Sequence, residues 1–171
     1  MSLLDQVGVE DLADALLGAW RCRNRVFFCG NGGSAGNAIH LVNDLIFGIG
    51  RDVLPGIQCE ALTANVSTLT CLANDTDYSK IFSLQLDTLA KRDDILIALS
   101  GSGNSQNIVN AIEKANEIGM KTFAILGFTG GKCLDIAQHS IHFPISDMQV
   151  AEDMQIIVGH IVAQWLMKEI K

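Results

Sequence analysis

Two short stretches of this chain gather the groups that can hold a small anion without a lysine. They are Gly30-Asn31-Gly32-Gly33-Ser34 and Ser100-Gly101-Ser102-Gly103-Asn104-Ser105. Glycines let the backbone turn sharply and come close to a ligand, while hydroxyls and amides donate neutral hydrogen bonds. Where such a stretch leads into a helix, the unpaired N–H groups and partial positive charge of the helix end join the same cradle. The chemistry implied is capture of a phosphate. Alone, the first stretch also reads as a tight connection in any doubly wound protein, and the second as a serine cap. A cap needs only one of those hydroxyls, and two such loops at one sheet edge point to a shared ligand. The first stretch is not the dinucleotide fingerprint GxGxxG, because its glycine spacing differs and no acidic residue ends the second strand. No nucleotide cofactor is expected.

The elements that position these loops follow from apolar periodicity. Leu3 to Cys22 carries Val9, Leu12, Leu16 and Trp20 at helical spacing. Arg25 to Cys29 is a short β-rich run leading into the first loop, and Ser34 is expected to cap the helix that follows. Further strands are expected at Gln58–Leu62, Asp94–Leu99, Thr122–Leu126 and Ser140–Phe143. Further helices are expected at Asn65–Leu72 and Ser79–Leu89 (with a turn at Asn74–Asp77 between them), from the second loop to Gly119, and at Met148–Ile170. Alternation of this kind predicts an α/β three-layer sandwich, a five-stranded parallel sheet flanked by helices. The final helix is apolar on two sides, which implies association with further copies of the chain.

Length and composition agree with one domain spanning 1–171. Of 171 residues, 49% are hydrophobic and 18% charged, which excludes a disordered chain. The net charge of −7 and scattered basic residues argue against direct nucleic-acid binding. Five cysteines without metal-finger spacing read as reduced, buried thiols of a cytoplasmic protein. No apolar run approaches the ~18 residues needed to span a bilayer, so no membrane partner is expected.

CGNGGS before a helix and SGSGNS after an apolar strand resemble the sugar isomerase (SIS) domain, with its flavodoxin-like sheet. The detail resembles the phosphoheptose isomerase branch, which converts sedoheptulose 7-phosphate to an aldoheptose 7-phosphate. Cys71–Asp75, Gly119–Lys121, Gly130–Lys132 and Met167–Ile170 extend the likeness over nearly the whole chain from about Asn24. The resemblance implies a phosphorylated-sugar substrate, a homo-oligomer, specifically a tetramer, and substrate contacts at Asn31, Gly32, Gly33, Ser34, Asn74, Asp75, Ser100, Ser102, Ser105 and Glu152.

It further implies catalysis by Asp44 and His160, and a zinc set of His40, Asp44, Glu152 and His160. His40 and Asp44 are i and i+4, hence on one helix face. Three departures stand out: Asp44 where the family has Glu, Glu152 where it has Gln, and Gly48 where many members have Arg. Asp sets the carboxylate back by about 1.5 Å, one C–C bond. Glu152 and His160 lie about 12 Å apart along a continuous helix, so a single ion held by both requires an earlier helix break or a second subunit. The alternative function is a non-catalytic sugar-phosphate-binding module with a regulatory or protein-partner role, as in replication-initiator-associating relatives.

Overall fold

Every strand but the two at the sheet edges is apolar on both sides, and this decides the architecture. The computed structural model describes residues 8–50 and 55–170. Its strands are β1 (Arg25–Cys29), β2 (Gln58–Ala61), β3 (Ile95–Ser100), β4 (Lys121–Leu126) and β5 (His139–His142). All pair in parallel in the order β2-β1-β3-β4-β5. Alternate residues face opposite sides. Phe28, Ile97 and Ile125 enter one core, and Phe27, Leu96 and Ala124 enter the other.

The first core is covered by α1 (Val9–Cys22), α2 (Gly33–Ile46) and α7 (Met148–Glu169). The second is covered by α3 (Val66–Asp75), α4 (Ser83–Leu89), α5 (Gln106–Ile118) and α6 (Gly131–Ile136). The three-layer α/β sandwich is therefore as expected. Each strand leads into a helix of the flanking layers, β5 into α7, as parallel pairing requires.

Several boundaries differ from the sequence reading, each for a local reason. The expected start at Leu3 lies outside the described residues. Ser34 does not cap α2: it is 3% exposed inside the first turn, and Gly32 is the N-cap, at φ 56. That backbone angle suits glycine, which explains the residue there. Asn65 does cap α3, accepting from the Thr68 N–H at 3.0 Å, but the helix continues through Asn74 and Asp75. The stretch 79–89 is split into a 3-10 turn at Tyr78–Lys80 and α4. Asp94 precedes β3 rather than opening it; it is fully buried and accepts from the N–H groups of Arg25 and Lys91. The helix α6 was not anticipated. Of the five cysteines, Cys29 and Cys133 are buried, Cys59 is half-buried, and Cys22 and Cys71 are exposed, so burial holds only in part.

Candidate functional site

The order β2-β1-β3 reverses direction between β1 and β3, and an open parallel sheet binds ligands at that switch point, outside its carboxyl edge. The two Gly/Ser stretches are the loops leaving β1 and β3 there. They are joined by side chains. The Asn31 amide donates to Asn107 Oδ1 at 2.9 Å, and the Asn107 amide donates back to Asn31 Oδ1 at 2.8 Å. Tyr78 adds its hydroxyl to Asn31 Oδ1 at 3.0 Å. Gly32 and Gly33 are exposed at the N-terminus of α2, whose first N–H groups have no partner within the helix.

In the second loop, Ser100 Oγ accepts from the Gly103 N–H at 3.0 Å and Ser102 Oγ from the Asn104 N–H at 3.3 Å. Each hydroxyl thus keeps its own proton to donate. Ser105 occupies the N-cap of α5, yet its hydroxyl makes no cap bond. The loop is braced by a third one, after β4, that the sequence reading did not count. Gly103, at φ 67, packs so closely on the Gly130 carbonyl that a Cβ would overlap it. Asn104 Oδ1 accepts from the Lys132 N–H at 3.1 Å, while the Lys132 ammonium pairs with Glu113. Among the described residues no lysine or arginine pairs with the serines of the loop, which leaves backbone dipoles and hydroxyls to meet an anion's charge.

The second cluster forms where α7 lies along α2. Glu152 meets Gly33, Gln155 meets Asn37, and Gly159 meets Leu41, so the pairs advance together and the helices run parallel. A Cβ on Gly159 would overlap Leu41, which explains how closely the two helices approach. His40 Nε2 and His160 Nε2 stand 2.9 Å apart, and each lies 3.4 Å from Asp44 Oδ2. The side chains are 50%, 44% and 26% exposed for His40, His160 and Asp44. Behind Asp44 is an apolar hollow of about 20 Å³ lined by Leu41, Leu45, Phe28 and Gly159. It is water-sized, so a sugar reaches Asp44 only from the open side. Asp44 spans to both histidines despite its shorter side chain, and Gly48 sits near it, so that a side chain there would meet the Asp44 carboxylate.

Other expected site residues lie elsewhere. The helix α7 is continuous, so Glu152 is two turns from His160 and outside the three-residue cluster. Its carboxylate lies over Gly33 instead. Asn74 and Asp75 are in the exposed last turn of α3, bonded to each other at 2.7 Å. That bond, then one from Cys71, holds the Asp75 carboxyl below its usual range. Sequence reasoning missed Asn107, Tyr78 and the Asn37–Gln155 pair. Asn107 carried one signal, an amide at the second position of a helix that opens beside a phosphate loop.

Comparison with known proteins agrees with this geometry. Residues 4–127 match the SIS domain. The phosphoheptose isomerase of Akkermansia muciniphila is 38% identical over 164 residues, covering 95% of this chain and 85% of its own length. That of Clostridium acetobutylicum is 36% identical over 164 residues, covering 95% and 82%. The structure of phosphoheptose isomerase from Neisseria gonorrhoeae superposes with a TM-score of 0.88 at 27% identity, over 96% of this chain and 86% of that one. The Francisella tularensis phosphoheptose isomerase gives a TM-score of 0.89 at 27% identity, over 94% and 85%. This chain belongs to the SIS domain family, within its phosphoheptose isomerases.

Proposed function

We propose that the protein is an aldose–ketose isomerase for a phosphorylated sugar, with sedoheptulose 7-phosphate as substrate. The observation that carries this is the meeting of His40, Asp44 and His160 on the same α2 whose N-terminus belongs to the phosphate loops. From Gly33 to His40 is about 10 Å along the helix, which suits an extended sugar with its phosphate in the loops. Ser100, Ser102, Ser105 and the backbone of Gly32 and Gly33 take the phosphate in this reading. Asn31, Asn74, Asp75 and Glu152 line the sugar. Asp44 removes the proton from C1, beside the ketose carbonyl, and an enediol forms as His160 delivers a proton to O2. Return of a proton to C2, with loss of the O1 proton, completes the aldose.

A zinc site is a second reading of the same cluster, favoured by its dimensions. A point equidistant from the two Nε2 atoms and Oδ2 lies about 1.9 Å from each, against zinc–ligand distances of about 2.0–2.2 Å. The donor set therefore fits. His40, Asp44 and His160 would hold the ion, which as a Lewis acid would polarise the substrate carbonyl. Glu152 would join only from another subunit. The two readings compete for one atom, because His160 Nε2 cannot ligate an ion and carry a proton at once.

We also propose a single SIS domain that assembles as a homotetramer in the cytoplasm. Ile157 and Met167 of α7, and Ile39 and Phe47 at α2, are exposed apolar side chains that support association. Five free cysteines support a reducing compartment. Among the described residues no helix is long and apolar enough to cross a membrane. Incubating the protein with sedoheptulose 7-phosphate, with zinc or with a chelator, tests the function. Aldoheptose 7-phosphate should form; activity only in chelator selects the acid–base role of His160, and activity only with zinc the ligand role. Binding without turnover in both would support the regulatory alternative.

A further inference from the structure

The Asn31–Asn107 pair joins the two loops, and its hydrogen bonds fix which way each amide faces. Asn107 is 2% exposed, and its Oδ1 accepts from the Ile108 N–H at 3.0 Å as well as from Asn31. Turning the Asn107 amide over would set two N–H groups against each other, so Oδ1 must stay where it is. Its Nδ2 therefore donates to Asn31 Oδ1, and that fixes Asn31 in turn. Tyr78 donates to the same Asn31 oxygen from the outer side. Asn31 Oδ1 is then saturated, and its amide nitrogen keeps one proton that no described residue accepts. That proton belongs to a half-buried residue beside the exposed Gly32 and Gly33.

We propose that Asn107 is a positioning residue, with Tyr78 as its brace, holding the Asn31 amide so that its remaining N–H meets a hydroxyl of the sugar. The inference rests on the sugar-phosphate reading of the loops. Asn107 acts through Asn31 and touches no ligand. Loss of Asn107 lets the Asn31 amide rotate, which weakens recognition of the sugar but leaves the serine loop able to hold phosphate.

The test compares sedoheptulose 7-phosphate with inorganic phosphate by calorimetric titration of the full-length protein. Asn107→Ala should weaken sugar-phosphate binding by roughly 5- to 10-fold, the scale of one or two hydrogen bonds, and phosphate binding by less than about 2-fold. In an Asn31→Ala background the same change should have no further effect on the sugar phosphate. Tyr78→Phe removes one exposed hydroxyl and should weaken the sugar phosphate by about 2- to 3-fold, an effect that also vanishes without Asn31. Should Asn107→Ala not fold, the Tyr78→Phe pair of measurements decides alone. Equal weakening of both ligands, or effects that simply add to that of Asn31→Ala, would overturn the positioning role. Unchanged sugar-phosphate binding in the variants would overturn it too, while leaving the sugar-phosphate reading intact. A wild-type protein that binds neither ligand would overturn that reading and the positioning role with it.

Discussion

His40 Nε2 and His160 Nε2 lie 2.9 Å apart although 120 residues separate them in the chain, and Asp44 Oδ2 closes the triangle at 3.4 Å from each. Three donors aimed at one point bind a metal well only together. Replacing His40 or His160 by Ala should lower zinc affinity by more than the ~10–100-fold that loss of an outer-sphere partner costs. Competition with a chromophoric chelator reads this directly. Equal zinc affinity in both variants and wild type would remove the metal reading.

The triangle exists because α7 can approach α2, and Gly159 permits that approach. Gly159→Ala should push Leu41 away and cost about 1–3 kcal/mol by overpacking. For a chain of this size the melting temperature should fall by about 2–4 °C per kcal/mol. Zinc affinity should fall with it, although no donor has changed. Adding Leu41→Val should restore part of both, which thermal melts and zinc titration of the double variant would show.

Ser105 separates stability from binding. A serine N-cap changed to alanine ordinarily costs about 1 kcal/mol, but the Ser105 hydroxyl caps nothing in α5. Ser105→Ala should therefore leave the melting temperature unchanged while weakening sugar-phosphate binding by about 1.5–3 kcal/mol, the range for a hydrogen bond to a charged group. A lower melting temperature with unchanged affinity would assign Ser105 to the fold instead.

The thiols should divide by environment. Burial pushes the Cys133 thiol up to about 11 and raises those of Cys29 and Cys59 further. At pH 8 these stay protonated, and the thiolate is the reactive form. Cys71 is exposed, but its hydrogen bond to the Asp75 carboxylate, then that charge, holds its thiol above the usual value. Iodoacetamide at pH 8 should label Cys22 first, Cys71 more slowly, and the other three only on unfolding. Peptide mapping by mass spectrometry checks the order.

The sheet was legible because its strands are short apolar runs between glycine-rich breaks, a pattern that survives without tertiary information. Both phosphate loops were legible for the same reason. His40, Asp44 and His160 came from the resemblance; helical spacing added only that His40 and Asp44 share a face, and nothing local in α7 marks His160. Boundaries failed where side chains compete for backbone groups. Ser34 looked like a cap, but the positive φ of Gly32 placed the cap two residues earlier. Glu152 looked like a ligand to the His40 cluster until the continuity of α7 left it over Gly33. Tyr78 could not be read at all, and Asn107 only as an amide opening a helix beside a phosphate loop, because their role depends on an amide 47 and 76 residues away.

Proton transfer by Asp44 leaves an isotopic trace when isomerisation is run in deuterium oxide. Asp44 is 26% exposed, so a proton it takes from the sugar exchanges with solvent. Wild-type protein given sedoheptulose 7-phosphate in deuterium oxide should yield aldose carrying deuterium at C2, followed by proton NMR. Asp44→Asn should lose about 10²–10⁴-fold in rate while still binding the sugar phosphate. Aldose formed without deuterium, or formed at the wild-type rate by Asp44→Asn, would rule out Asp44 as the base.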